Sequence, residues 1–324
     1  MEKIAVIRRP IEKEMTTFRE VFDASLETSN PLLKEVLAYI RQRNGKMMRP
    51  MLTMLVAKAF GELSSGAYHA AATMEMLHTA SLVHDDVVDE SNERRGQPSV
   101  NSAFNNKISV LVGDYLLSTA LHHASLTRNP DIVIAVSCLG QELSEGEILQ
   151  LSNISNAELS ETTYYEIIRK KTAALFATCA QLGAMSSGAS AEQVETFRLY
   201  GEKVGICFQI KDDIFDYFDS PELGKPTGND MLEGKLTLPA IHAVNTHGDD
   251  RARTLVQRVK EGRVSTAEVS ELIAFTKEHG GITYAEQAMQ RHYEEALALA
   301  RTVGDADVRA ALEAYATYVV DRTK

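Results

Sequence analysis

The chain has 324 residues, of which 44% are hydrophobic and 24% charged, a composition typical of a globular protein with a substantial core. Its formal net charge of -11 argues against a nucleic-acid partner, because a phosphate backbone is bound by a basic surface. The first residues lack the apolar core of a signal peptide and no segment is long enough to span a membrane, so we expect a cytoplasmic protein. The three cysteines have no CxxC spacing, which predicts buried free thiols at Cys138, Cys179 and Cys207.

Long stretches of the chain without proline predict helices. They are rich in Ala, Leu, Glu, Gln and Met, which favour helix. Three of the segments are apolar almost all round and should therefore be buried on most sides: 66–90, 162–185 and 194–218. Loops are predicted where Gly, Pro, Asn and Asp cluster, at 43–50, 93–101, 126–131, 219–235 and 278–284. Strand patterns and linkers are missing between these segments, so the sequence predicts one all-α domain over residues 1–324.

The sequence DDVVD recurs as DDIFD, each time late in a predicted apolar helix. The first and fifth aspartates of each copy share a helix face, and the second lies beside them. These residues are Asp85, Asp86 and Asp89 in the first copy and Asp212, Asp213 and Asp216 in the second. Burying such like charges is costly without a cationic partner, so we expect one at each cluster.

Magnesium is the cation that suits these clusters best, because it takes oxygen ligands and is often shared with substrate phosphates. The calcium loop pattern DxDxDG is absent, and supporting His and Cys ligands for zinc are missing. The alternative is that the aspartates are merely a solvated helix end. One copy alone would leave the two interpretations about equal, and the repeat behind apolar residues favours a site.

Basic residues accompany the acidic clusters in the predicted loops and helices. Arginine suits two-pronged phosphate contacts, and lysine supplies a point charge. The residues are Lys46, Arg49, Arg94, Arg95, Lys170, Lys171, Lys225 and Lys235. Each pair alone is typical of a solvated surface, whereas the whole set on an acidic protein predicts a site for substrates that carry diphosphate groups.

Five motifs, in this order, resemble those of the trans-isoprenyl diphosphate synthase (polyprenyl synthetase) family over nearly the whole chain. They are GKMMRP (45–50), HDDVVDESNERRG (84–96), Lys171 with Thr172, FQIKDDIFDY (208–217) and GKPTGNDMLEGKLTLP (224–239). The resemblance implies a bundle of antiparallel helices around a deep central cavity, usually in a homodimer. Two departures affect the first motif: Asn44 replaces a glycine, and Met47 stands where a basic residue is frequent.

The activity that the resemblance implies is head-to-tail prenyl transfer, in which isopentenyl diphosphate is added to an allylic diphosphate. Magnesium, roughly three ions once diphosphate is bound, would be held by Asp85, Asp89, Asp212 and Asp216. The other implied catalytic residues are Asp86, Asp213, Arg94, Lys171, Thr172, Gln209 and Lys235. Isopentenyl diphosphate would be bound by Lys46, Arg49, His78 and Arg95. The remaining substrate-binding residues are Arg94, Lys171, Thr172, Gln209, Lys225 and Lys235.

Product length in this family is set by the side chains just before the first aspartate cluster. Ser81 lies one turn before Asp85, with Ala80 beside it and Leu77 deeper. Short-chain members often carry an aromatic residue here, and many bacterial ones also have a two-residue insertion in the aspartate motif. The small residues therefore predict a long-chain, octaprenyl-class product for respiratory quinone side chains. Release of such an oily product would involve peripheral membrane contact.

Other functions are disfavoured by particular features of the sequence. A class I terpene cyclase usually has a different second metal motif, and a non-catalytic partner subunit would be expected to lose its aspartate clusters. A purely structural helical protein gives no reason for two buried acidic clusters. The nearest alternative is a short-chain synthase that makes farnesyl or geranylgeranyl diphosphate.

Overall fold

The structure is a computed structural model, which describes residues 2–42, 45–94, 96–154, 156, 158–218 and 227–322. Three residues singled out above, Asn44, Arg95 and Lys225, lie outside the described residues. The described part is almost entirely helical, which confirms the all-α class. None of its helices is both long enough and apolar enough to cross a bilayer.

The helices follow one another along the whole chain. In chain order they are α1 (Glu2–Arg8), α2 (Glu12–Ala24), α3 (Pro31–Arg41), α4 (Met48–Lys58), α5 (Ser65–Val88), α6 (Val100–Ala103), α7 (Asn106–Leu126), α8 (Pro130–Ile154), α9 (Glu161–Ile168), α10 (Ala174–Met185), α11 (Ala191–Phe215), α12 (Asn229–Leu232), α13 (Leu238–His247), α14 (Asp250–Lys260), α15 (Thr266–Glu278), α16 (Gly281–Ala300) and α17 (Ala306–Asp321). A 3-10 turn (Arg9–Ile11) precedes α2, and a π turn (Arg169–Ala173) joins α9 to α10. Strands β1 (Glu93–Arg94) and β2 (Gln97–Pro98) pair antiparallel, with Arg94 opposite Gln97.

The three long predicted helices are present. Segments 66–90 and 194–218 correspond to α5 and α11, and segment 162–185 is helical but contains the π turn. The loop predicted at 219–235 is partly wrong, because α12 forms within it. The start of α5 follows from sequence: the Ser64 hydroxyl accepts a hydrogen bond from the Ala67 N–H at 3.3 Å. It ends before Glu90, whose φ of 49° is incompatible with a right-handed helix.

Contacts group the chain into two compact units. Unit 1 comprises Met1–Leu139, Leu175–Gly201 and Leu299–Tyr315, and unit 2 comprises Gly140–Ala174, Glu202–Ala298 and Ala316–Lys324. The single domain of the sequence analysis stays a prediction.

Helix α5 is the centre of unit 1, where it packs against α2, α4, α6 and α7. Small residues on α5, including Ala70, Ala71 and Ala72, are fully buried and let the neighbouring helices come close. The Thr73 hydroxyl donates to the Ala120 carbonyl on α7 at 3.3 Å. The last turn of α5, which carries the first aspartate cluster, is therefore firmly positioned.

In unit 2, α15 packs against α12, α13 and α14. Its buried Val269 and Ile273 lie against Gly228, where an added Cβ would come within 2.3 Å of Val269. This glycine has a φ of 79° and leads directly into α12.

The cysteines fulfil the prediction only in part. Cys179 and Cys207 are buried free thiols, and burial raises the pKa of each to about 12, so neither is a ready nucleophile. The prediction for Cys138 is wrong, because this thiol lies on an exposed face of α8.

Candidate active site

The first aspartate cluster occupies the end of α5 in unit 1. Asp86 is only 2% exposed and accepts a hydrogen bond at 2.7 Å from the Arg94 Nε on β1. The Asn101 amide also donates to the Asp86 carbonyl at 3.2 Å. Asp85 is half-buried, and Asp89 is exposed at the helix end. Asp86 is thus held in an ion pair with Arg94, whereas the carboxylates of Asp85 and Asp89 are the accessible oxygen donors of the cluster.

The beginning of α4 has the properties of an anion site. Met47 precedes it in the left-handed conformation, with a φ of 54° and no side-chain cap, so no side chain of its own covers the first N–H groups. Arg49 lies in the first turn with its guanidinium 5.4 Å from the centre of the Phe176 ring, and its Nε is buried without a hydrogen-bond partner among the described residues. Lys46 is exposed beside it. His78 lies half-buried on α5, against which α4 packs.

The second aspartate cluster ends α11 in unit 2. The Arg322 Nη2 lies 2.7 Å from an Asp212 carboxylate oxygen. Asp216 accepts the backbone N–H groups of Asn229 and Asp230 at 2.9 and 3.1 Å, which makes it the cap that starts α12. Asp213 is 3% exposed and points into unit 2. The three carboxylates therefore have three different surroundings, which their adjacency in sequence did not reveal.

Lys171 and Thr172 lie on the π turn, where two glycines allow a close approach. A Cβ on Gly146 of α8 would come within 2.9 Å of the Lys171 backbone nitrogen, and one on Gly205 of α11 within 2.6 Å of the Ala173 Cα. Such π turns are often found at functional sites. The Lys171 ammonium forms an ion pair with Glu147 of α8.

A chain of hydrogen bonds connects the π turn to the second cluster. The Thr172 hydroxyl donates to the Gln209 carbonyl oxygen at 2.7 Å, and the Gln209 amide donates to Asp213 at 2.8 Å. The Tyr164 hydroxyl donates to the other Asp213 oxygen at 2.6 Å. Two causes raise the pKa of Asp213 to about 8 despite these bonds. The larger is loss of hydration on burial, and the second is the nearby charge of Asp230. The network fixes the orientation of the Gln209 amide.

A cavity of about 180 Å³ in unit 2 brings these groups together. Its polar lining combines acidic, basic, amide and hydroxyl groups: Gln150, Asn153, Tyr164, Lys171, Thr172, Gln209, Asp213, Asp230, Lys235, Thr237 and Lys260. Lys235 also pairs with Glu233 at 2.6 Å. Loss of hydration on burial is the larger cause, and the charge of Asp216 the second, of the pKa of Asp230 being raised to about 7. Two carboxyl groups with raised pKa values and three lysines favour a charged ligand in this cavity.

The donor chemistry fits a hard divalent cation. Among the residues that the structure describes, no three His, Cys, Asp or Glu side chains converge as a ready-made metal site. The accessible donors are nevertheless all carboxylates, and each cluster stands at the negative end of a helix dipole. Such an arrangement suits a cation that arrives with an anionic ligand and completes its coordination with it.

Several residues of the cavity did not emerge from sequence reasoning. Tyr164 and Lys260 lie outside the five motifs, and only the fold brings them to the cavity. The Lys260 ammonium donates to the Asn153 carbonyl at 2.8 Å, and burial lowers its pKa. Asp230 lies inside the fifth motif, and its place in that motif was the signal that could have identified it.

Comparisons with known proteins agree on one family. Residues 30–276 match the sequence profile of the polyprenyl synthetase family. An octaprenyl diphosphate synthase of Haemophilus influenzae is 33% identical over 317 residues, which covers 98% of this chain and 96% of that protein. The crystal structure of a geranylgeranyl pyrophosphate synthase from Bacteroides thetaiotaomicron is 51% identical, with a TM-score of 0.87 over 99% of this chain and 100% of that one. A polyprenyl synthase from Caulobacter crescentus, crystallised with calcium and isoprenyl diphosphate, is 30% identical, with a TM-score of 0.91 over 99% and 98% of the two chains.

The raised pKa of Asp213 predicts a stability that depends on pH. Between the ordinary carboxyl pKa of 3.8 and about 8, the folded protein holds a proton that the unfolded chain has released. The free energy of unfolding should therefore fall as the pH rises through this window. Asp213→Asn should flatten that fall, as measured by urea unfolding at several pH values in EDTA. The exposed Asp250→Asn variant should follow the wild type, and an equal slope in Asp213→Asn would contradict the assignment.

Proposed function

The chain belongs to the polyprenyl synthetase family, and on that premise we propose that it extends an allylic diphosphate with isopentenyl units to a long-chain, all-trans polyprenyl diphosphate of the octaprenyl class. It is a prenyltransferase. The observation that carries the proposal is the polar cavity of unit 2, where Lys171, Thr172 and Gln209 are fixed beside the second aspartate cluster.

The reaction breaks the C–O bond of the allylic diphosphate, and the bonding electrons leave with diphosphate. The double bond of isopentenyl diphosphate then attacks the allylic carbon, and the released diphosphate accepts the proton that is lost. Lys171, Arg94 and Lys235 are proposed to stabilise charge on the leaving diphosphate, with Lys225 as a further contact. The oxygens of Thr172 and Gln209 face the allylic cation in this proposal, and Asp213 is the positioning group that orients Gln209.

Magnesium is the proposed cofactor, with roughly three ions in the presence of diphosphate. The proposed ligands are Asp85, Asp89, Asp212 and Asp216. When bound, the metal supplies positive charge to the leaving diphosphate. Support comes from the purely carboxylate donor set and from the relative crystallised with calcium. Asp86 is proposed to act indirectly, because its carboxylate is buried against Arg94.

The second substrate, isopentenyl diphosphate, is assigned to the beginning of α4. Lys46, Arg49 and the first N–H groups of that helix supply positive charge for its diphosphate. Arg49 has a buried Nε without a partner among the described residues, a donor that a phosphate oxygen would satisfy. His78 and Arg95 complete the proposed set.

Product length is proposed to depend on the side chains that precede the first aspartate cluster. Ala80 is 2% exposed and Leu77 is buried, while the Ser81 hydroxyl turns back to the His78 carbonyl at 2.9 Å. In this proposal, the small side chains of Ala80 and Ser81 are what admit a long tail. A short-chain, geranylgeranyl-class product is the second candidate, favoured by the 51% identity with the Bacteroides protein of that name.

We further propose that the enzyme works as a homodimer in the cytoplasm and supplies a respiratory quinone side chain, with peripheral membrane contact during product release. The dimer is supported by an exposed apolar stripe on α7. Val110, Leu117 and Leu121 recur at helical spacing on this stripe, and Leu111 is exposed beside it. Exposed apolar side chains that recur at this spacing favour burial against a second copy.

Incubation of the purified protein with Mg²⁺, farnesyl diphosphate and labelled isopentenyl diphosphate should yield products longer than geranylgeranyl diphosphate, resolved by chromatography after dephosphorylation. Asp89→Asn should lower turnover by about a hundredfold or more. Asp131→Asn, an exposed aspartate in the first turn of α8, is the matched control and should leave turnover unchanged. Products that stop at geranylgeranyl diphosphate would establish the second candidate, and no elongation from any allylic starter would refute the activity.

Ala80→Tyr should shorten the main product sharply, because the ring would occupy the space proposed for the growing tail. Thermal unfolding separates this effect from misfolding, since overpacking a buried site costs about 1–3 kcal/mol. Ser81→Ala keeps the site small and should leave the product distribution unchanged. An unaltered product length in a folded Ala80→Tyr protein would contradict this account of chain length.

The dimer is tested with Leu117→Glu combined with Leu121→Glu, which places two charges on the α7 stripe. Sedimentation equilibrium should then give the mass of one chain, while the wild type gives twice that mass. Leu32→Glu changes an exposed leucine of α3 and serves as the control that should remain dimeric. A wild type with the mass of one chain would refute the proposal.

A further inference from the structure

Arg322 directly follows α17, and its side chain lies against the end of α11. The side chain is only 10% exposed. Its Nη2 lies 2.7 Å from the Asp212 carboxylate and donates to the Phe208 carbonyl, also at 2.7 Å. The guanidinium carbon lies 3.9 Å from the centre of the Phe208 ring and 5.5 Å from that of Phe215. One arginine from a distant part of the sequence is thus held at the second aspartate cluster by charge, a hydrogen bond and two aromatic rings.

The Arg322 Nη2 takes part in both the ion pair with Asp212 and the hydrogen bond to the Phe208 carbonyl, so this nitrogen is shared between two oxygens. The Arg322 Nε is buried without a hydrogen-bond partner among the described residues. The Asp212 side chain is 43% exposed and can therefore be reached by a competing cation. The stacking on Phe208 does not depend on Asp212 and would keep the guanidinium in place once the carboxylate is released.

We propose that Arg322 is a positioning residue that neutralises Asp212 while no divalent cation is bound and yields the carboxylate when one binds. The inference rests on the proposed function, in which Asp212 is a magnesium ligand. Two positive charges compete for one carboxylate, and each weakens the other's hold by direct repulsion. Arg322 therefore prevents repulsion within the empty cluster and lowers its affinity for the cation.

The test is the affinity for Mn²⁺, measured by calorimetry with inorganic pyrophosphate absent and then present. Arg322→Gln should bind Mn²⁺ about threefold tighter or more, because the competing charge is gone. Arg322→Lys keeps the charge and should lie closer to the wild type. Arg251→Gln, which removes an exposed arginine paired with Glu271, is the matched control and should bind as the wild type does.

A second measurement distinguishes competition from a merely structural role. In Asp212→Asn protein, the substitution of Arg322 should no longer change the Mn²⁺ affinity, since the shared carboxylate is lost. In protein that retains Asp212, the Arg322→Gln substitution should lower the unfolding temperature when no cation is present. Addition of Mn²⁺ should restore part of that loss. Equal or weaker Mn²⁺ binding by Arg322→Gln would overturn the inference alone. Failure of the wild type to bind Mn²⁺ under either condition would overturn the proposed metal ligands as well.

Discussion

Both aspartate clusters stand at the carboxyl end of a helix, where the backbone carbonyls already make the local potential negative. Their stability depends on positive groups or hydrogen-bond donors brought to each of them. Arg94 supplies the charge for Asp86, and Arg322 supplies it for Asp212. At Asp213, burial instead raises the pKa to about 8, despite the two hydrogen-bond donors that favour the charged form. Because neighbouring carboxylates repel one another, an element that supplies a compensating charge or a hydrogen-bond donor must pack against the end of each of these helices.

The π turn is the second constraint on the candidate site. It presents Lys171 and Thr172 from a stretch that would otherwise be regular helix. Gly146 and Gly205 are needed on the neighbouring helices because a side chain at either position would overlap the turn. Thr172 can then reach Gln209, and the hydrogen-bond chain continues to the second cluster. Backbone geometry and polar chemistry are therefore linked at this place.

Family membership and product length rest on different kinds of observation. The profile match and the near-complete coverage of relatives establish a prenyltransferase. Those relatives carry the names of both octaprenyl and geranylgeranyl synthases, so overall identity does not decide product length. The volume of side chains such as Ala80 beside the first cluster is a local property, and only local substitutions probe it.

The sequence by itself determined the helical class, the long helices α5 and α11 and the two aspartate clusters, because apolar content and four-residue spacing are local properties of the chain. It also marked Lys171, Thr172 and Gln209 through a resemblance. The π turn, the Asp216 cap of α12 and the exposure of Cys138 were decided by tertiary structure. So were the cavity positions of Tyr164 and Lys260 and the pairing of Arg322 with Asp212. These contacts join residues far apart in sequence, and no periodic pattern within one segment encodes which distant side chain supplies the balancing charge.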